Sequence, residues 1–243
     1  DYDMNDLVLS FRITYFTNSL NKVTKMKFDH KILASGSGIQ IASAFQLDNI
    51  ASSSIASVSG QELAGTSPFS VTANGTELGV SKAVIPIFNN VRDVVTDDFG
   101  ILLNTVDGIH FNTPSGSLTI QFTSPQETSN VSMDAFNFFI VPYKSDNVSR
   151  SKEIHLPTFH PTTKIDATLL TGDQLNYSDK YKYSDGMMWG IMIPEKFYYP
   201  KEYESIGNAY INFFRWATSG GVEFTDWYKD LEGYRDNSKI YNN

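Results

Sequence analysis

Hydrophobic positions recur every second residue from the start of the chain. Leu7, Leu9, Phe11, Ile13 and Tyr15 alternate with Val8, Ser10, Arg12, Thr14 and Phe16. Successive side chains of an extended backbone point to opposite faces, so this period predicts a β-strand. Residues 17–22 form a polar turn. The following run places Met26, Phe28, His30 and Ile32 on one face and Lys25, Lys27, Asp29 and Lys31 on the other. The two runs predict an antiparallel hairpin with one wet side.

Gly36 and Gly38 break the chain before another alternating stretch at residues 39–47. Residues 52–60 read as a short strand or extended connection. Residues 83–88 predict a strand in which Pro86 cannot donate to a ladder, which places it at a sheet edge or a bulge. Residues 89–117 are rich in Asp, Asn and Gly and read as a long loop around Ile101, Leu102 and Leu103. Residues 117–123 predict a strand ended by Pro125. Residues 136–141 are apolar on both faces, as in a central strand, with Pro142 closing it.

Past residue 142 the texture changes. Residues 153–157 are short and extended, and 169–186 form a polar loop holding Asp173, Asp179 and Asp185. Residues 188–193 read as a strand ended by Pro194. From 202 to 218 the period becomes helical, with Ile206, Tyr210, Phe213, Phe214 and Ala217 on one face and Gly220 and Gly221 as the C-terminal stop. Trp227, Tyr228 and Tyr234 are expected to pin the tail. The fold expected is mainly β: an antiparallel β-sandwich, jelly-roll-like, with one C-terminal α-helix packed on the sheets. No linker or internal repeat divides residues 1–243, which are therefore read as a single domain.

Composition narrows the function. Nineteen Lys and Arg against 27 Asp and Glu, a formal charge of −8 and a pI near 4.9 leave no basic face for nucleic acid or an anionic bilayer. The absence of cysteine removes disulfides, thiol nucleophiles and Cys-ligated zinc. No apolar run approaches the ~20 residues of a transmembrane helix. A chain opening inside a ligand-rich loop is expected to come from a longer precursor, with any signal or lipid anchor upstream.

That loop is the main chemical feature. Asp1, Asp3, Asn5 and Asp6 place three carboxylates and a carboxamide immediately before the first strand. Asp1-x-Asp3-x-Asn5 matches the opening of an EF-hand loop, but Asp6 stands where glycine is needed and Arg12 where the bidentate Glu belongs. An EF-hand is thereby rejected, while the oxygen cluster remains. Ca²⁺ takes six to eight oxygens, which four side chains, a carbonyl such as that of Met4, and water can nearly supply. The competing reading is a solvated acidic turn that caps its own backbone.

Other constellations are less specific. His155 and His160 lack a zinc spacing, and packing or surface roles suit all four histidines better. Ser35-Gly36-Ser37-Gly38 is a turn, not a nucleophile elbow. Glu62, Glu77, Glu127, Glu153 and Glu195 are not distinguished from solvated acids. Tyr177, Tyr181, Tyr183, Trp189, Tyr198, Tyr199, Trp227 and Tyr228 could include a sugar-stacking platform, although core packing is the commoner fate of such rings.

Residues 1–8, Asp1-Tyr2-Asp3-Met4-Asn5-Asp6-Leu7-Val8, resemble the Asp-x-Asp-aromatic-Asn-Asp-Leu-Val signature of the LruC-domain family (the DUF4842 group) of Bacteroidetes and other bacteria. Lys152-Glu153-Ile154-His155-Leu156-Pro157, Trp189, Ile193-Pro194-Glu195-Lys196-Phe197, Trp216-Ala217-Thr218-Ser219-Gly220-Gly221 and Asp226-Trp227-Tyr228 extend the resemblance to about residue 241. Met4 departs from the usual aromatic, and the acidic and aromatic residues that normally precede the motif are absent. The resemblance implies a secreted or envelope protein, periplasmic or an outer-membrane lipoprotein, with a calcium-type acidic loop. The function expected is a non-catalytic β domain holding structural Ca²⁺ through Asp1, Asp3, Asn5 and Asp6, serving adhesion or the display of a surface protein or glycan partner. A glycan-binding module is the alternative, and a hydrolase comes third.

Overall fold

The computed structural model describes residues 2–172, 175–176, 181–183 and 185–242. Strands β1 (Val8–Thr17), β2 (Val23–Ala34), β3 (Gln40–Ala51), β4 (Ile55–Ser59), β5 (Lys82–Phe88), β6 (Ser115–Gln126), β7 (Phe136–Tyr143) and β8 (Ile154–His155) form two four-stranded antiparallel sheets. Their orders are β1-β2-β6-β4 and β5-β3-β7-β8. A small hairpin, β9 (Thr171–Gly172) with β10 (Leu175–Asn176), stands apart.

The alternating pattern explains the first sheet. Leu9 pairs with Ile32, Phe11 with His30 and Ile13 with Phe28, which aligns the apolar faces of β1 and β2. Asn18 shapes the turn between them, its Oδ1 accepting from the amides of Leu20 and Lys22. Met26, Phe28 and Ile32 then meet Phe45 and Leu47 of β3, Ile85 of β5 and Phe136 of β7 in a core drawn from both sheets. Ring centroids of Phe28 and Phe45 lie 5.2 Å apart, and those of Phe11 and Phe138 4.9 Å. The outer face of β3 and β7 is buried as well, where Ala42, Ala44, Phe139 and Val141 pack beneath Phe69 and Val80. The expected β-sandwich is therefore present, and β7 lies inside its sheet.

Proline behaves as expected at one position and differently at two. Pro86 lies on the edge strand β5, beside a register shift at Ser43 and Ala44. Pro125 and Pro142, expected to stop their strands, lie inside β6 and β7. Pro125 falls in an irregular stretch of the β2–β6 pairing. Pro142 is beyond the reach of β8, which pairs only with Phe139 and Ile140, so a missing donor on that side costs no ladder bond.

The C-terminal third is built differently from its pattern. The expected helix over 202–218 is two short helices, α2 (Ile206–Ala209) and α3 (Phe213–Thr218), which follow α1 (Val91–Val94) in the long loop. Tyr210 between them is extended (φ −124°, ψ 100°) and bridges to Arg235, while the Ile211 amide donates to the Tyr234 carbonyl. Pairing with the tail outweighs helix continuation here. The apolar stripe survives the break: Ile206, Tyr210, Phe213 and Ala217 join Met187, Met188, Trp227 and Ile240 in a second core. Gly220 and Gly221 take positive φ (70° and 85°) and stop α3 as expected. Residues 188–193 are not a strand; beyond a bridge from Met188 to Lys182, they serve the second core through side chains. No described helix is long and apolar enough to cross a membrane.

Candidate functional site: a buried oxygen cluster

The opening loop is drawn into the seam between the sandwich and the second core. Tyr2 and Met4 both take left-handed backbone (φ 63° and 57°). Such conformations cost a non-glycine residue free energy and persist only where the surroundings enforce them. Their effect is to turn Asp3 and Asn5 inward, leaving these side chains on residues only 4% and 1% exposed. Met4 packs against the second core.

The seam is closed by hydrogen bonds from both sides. The Gly36 amide donates to the Asn5 carbonyl (2.9 Å), and Ser35 Oγ donates to the Asp6 carbonyl (3.0 Å). From the distal end of the chain, the Tyr203 amide donates to Asp3 Oδ2 (3.2 Å) and the Ile206 amide to the Tyr2 carbonyl (2.8 Å). Asn5 Nδ2 donates in turn to the Pro200 carbonyl (3.2 Å). That bond fixes the amide's orientation and aims Asn5 Oδ1 elsewhere.

Elsewhere is a pair of buried oxygens. Asn5 Oδ1 and Glu202 Oε2 make no well-aligned hydrogen bond, and the Thr105 hydroxyl interacts with the Glu202 side chain. A Cβ on Gly36 would overlap both Asn5 Oδ1 and Glu202 Oε2, so these two oxygens converge on the face of that glycine. Thr105 reaches the site because Asn104 (φ 53°) anchors the long loop to the Leu33 and Phe111 carbonyls. The Thr105 carbonyl accepts from the Glu202 amide (2.9 Å).

Electrostatics follow. Burial raises the Asp3 pKa, with the Tyr203 amide opposing and the Asp6 charge adding to the rise. Burial also raises Glu202, helped by the charges of Asp3 and Asp6 and opposed by the Thr105 side chain. Asp6 is an exposed residue at the rim, yet surrounding protein desolvates its carboxylate and raises its pKa against a bond from Ser37. Among the described residues, no three His, Cys, Asp or Glu side chains are gathered closely enough to hold a metal on their own. The converging pair is instead an amide and a carboxylate oxygen. Of the four expected ligands, Asp3 and Asn5 are inside, Asp6 is at the rim, and Asp1 lies outside the described residues. Glu202 and Thr105 were not indicated by the sequence pattern.

A second polar cluster runs under β7. Arg150 donates from Nε and Nη2 to both carboxylate oxygens of Glu77 (2.6 and 2.9 Å) and from Nη1 to Glu153 (2.5 Å). Glu153 Oε2 meets His155 Nε2 at 2.7 Å, and His155 Nδ1 faces Asn137 Oδ1 at 2.5 Å. Burial draws the His155 pKa down while Glu153 resists. Both ring nitrogens nonetheless face acceptors, because Asn137 Nδ2 is committed to the His160 carbonyl, so this arrangement asks for a proton on each. Glu77 and Glu153, indistinct from surface acids in the sequence, are thus buried ion partners. The cluster is closed on itself, with His155 stacked between Phe139 and Tyr181, and its geometry is that of a structural brace.

The aromatic candidates divide. Tyr181, Tyr199 and Trp227 are buried. Tyr183 stacks on the exposed Trp189 (5.4 Å), while Lys196 and Arg235 flank the ring of Tyr198. Tyr177, with Asp173 and Asp179, lies outside the described residues.

The fold is that of an antiparallel β-sandwich with a second core at its C-terminal end. The chain belongs to the family described as "Domain of unknown function (DUF4842)", whose model matches residues 21–228. The fold is similar to that of a Bacteroides ovatus crystal structure described as a "putative lipoprotein", with a TM-score of 0.70 at 16% identity over 99% of this chain and 71% of that one. No curated protein matches the chain.

Proposed function

We propose that this chain is a single, non-catalytic domain of the cell envelope or its exterior, of the LruC type, in which Asp3, Asn5 and Asp6, with Asp1, hold a structural Ca²⁺ that seats β1. The observation that carries this reading is Asn5 Oδ1: an amide oxygen, buried, fixed by its own Nδ2 bond and left without a donor. Burying a polar atom unpaired costs about 1–3 kcal/mol, and a hard cation recovers that cost. Two left-handed outliers flanking Asp3, at Tyr2 and Met4, support it, since such strain collects where ligands are clamped. The envelope assignment draws on the description carried by the Bacteroides ovatus structure. Adhesion or display of a partner is the role that suits a rigid, cation-braced sandwich.

A thermal melt in Ca²⁺ and in chelator tests the reading. Ca²⁺ at a hundred times its Kd stabilises by about 2.7 kcal/mol. In a domain of this size that is a rise of about 5–10 °C. Equal midpoints would overturn it.

A glycan-binding role is favoured by one observation, the exposed Trp189 ring stacked on Tyr183, which presents an apolar face of the kind sugars cover. On that reading Trp189→Ala abolishes retention on insoluble polysaccharide and leaves the melt unchanged. Absence of retention by the unaltered chain would reject it.

A further inference from the structure

We propose that Glu202 is a further oxygen ligand of this cation site, and that filling the site docks the second core onto the sandwich. The inference rests on the Ca²⁺ reading and adds a residue from the far end of the chain. Glu202 Oε2 is buried, makes no well-aligned hydrogen bond and converges with Asn5 Oδ1 across Gly36, the one position where a side chain would close the space between them. Thr105 Oγ1 adds a third oxygen, interacting with the Glu202 side chain, on a residue with no exposed surface whose carbonyl accepts from the Glu202 amide.

The donor set is an amide, a hydroxyl and carboxylates, with neither nitrogen nor sulfur. That chemistry selects a hard divalent cation, and its irregular make-up suits Ca²⁺ over Mg²⁺, which demands a near-ideal octahedron. Without a cation, Asp3, Asp6 and Glu202 repel one another. With one, each repulsion becomes a shared attraction, and Asp6 has reason to swing in from the rim.

The coupling follows from where the ligands are anchored. Asp3 and Asn5 already hold the Tyr203 amide and the Pro200 carbonyl, and the Tyr2 carbonyl receives the first amide of α2. Gly36 and Thr105 belong to the sandwich side, close in sequence to the bridge between Ser35 and Leu103. A cation gripped by both sets ties Ile206, Tyr210 and Phe213 to β1 and β2 through a single point.

The experiment is Ca²⁺ titration calorimetry with hydrogen exchange, on the whole chain and on Glu202→Gln. The unaltered chain is expected to bind one Ca²⁺, and Ca²⁺ to slow exchange across 206–217. Glu202→Gln is expected to lose at least about tenfold in affinity and the exchange effect with it. Its melt in chelator should equal or exceed that of the unaltered chain, because a repelling charge is gone, which shows that it folds. Undiminished Ca²⁺ affinity in Glu202→Gln would overturn the ligand assignment and leave the Asp3–Asn5–Asp6 reading standing. Lost affinity with unaltered exchange in Ca²⁺-loaded unaltered chain would overturn the docking. No Ca²⁺ binding by the unaltered chain would overturn both readings together.

Discussion

Replacing Glu153 with Gln keeps the shape of the brace under β7 and removes one buried charge. Both carboxylate oxygens are engaged: Oε1 by Arg150 and the Thr162 hydroxyl, Oε2 by His155 and the Thr162 amide. Burial by itself raises the pKa of this acid. The His155 bond, the Arg150 and His155 charges and the Thr162 bond outweigh it and bring the pKa from 4.5 to about 2. At 1.36 kcal/mol per unit, that depression is worth about 3 kcal/mol to the folded state. A depressed carboxylate stabilises fully above its unfolded pKa and loses the contribution as pH falls through the folded one, so the window is from about 4.5 down to about 2. Glu77 works in the opposite sense, since burial raises its pKa despite Arg150. The difference between the unaltered chain and the variant cancels most of that opposing effect. Urea unfolding of both at pH 7, 5, 4 and 3 should show Glu153→Gln less stable by about 3 kcal/mol at pH 7, with the gap narrowing at the acid end. A gap below about 1 kcal/mol at pH 7, or one that is the same at pH 7 and pH 3, would refute the reasoning.

Three further perturbations address the seam, the core and the surface. Gly36→Ala drives a Cβ into Asn5 Oδ1 and Glu202 Oε2, so it should cost about 1–3 kcal/mol in urea unfolding and, on the proposed Ca²⁺ reading, abolish binding by calorimetry. Phe28→Ala, fully buried between the sheets, should cost about 3–5 kcal/mol. Phe16→Ala, at 39% exposure with the Lys25 ammonium 4.0 Å over its ring, should cost no more than about 1 kcal/mol in the same assay.

The sandwich was legible wherever a local pattern carried it. The period of two through Leu9, Phe11 and Ile13 predicted the β1–β2 hairpin, and the missing donor of Pro86 placed β5 at an edge. What went unread depends on distant partners. The helical period at 202–218 is real, but Tyr210 meets Arg235, and that bridge divides the helix. The same reading hid Glu202 as a helix-start acid, when its side-chain oxygen and that of Asn5, far apart in sequence, both lie over the face of Gly36. Glu77, Glu153 and Arg150 are likewise joined by folding rather than by spacing. The inward turn of Asp3 and Asn5 could have been suspected from their alternation with Tyr2 and Met4, although no sequence rule requires left-handed backbone at those residues.

The four outermost strands are not equally guarded. β8 is only two residues long, β5 carries Pro86, and β4 gives the Val58 amide to the Asn74 carbonyl of a covering loop. β1 offers ten residues on its flank, and among the described residues no other strand pairs along its outer side. Recruitment of a foreign strand, whether from a second copy or a misfolded neighbour, therefore has one natural starting line, and it begins where the oxygen-lined loop ends.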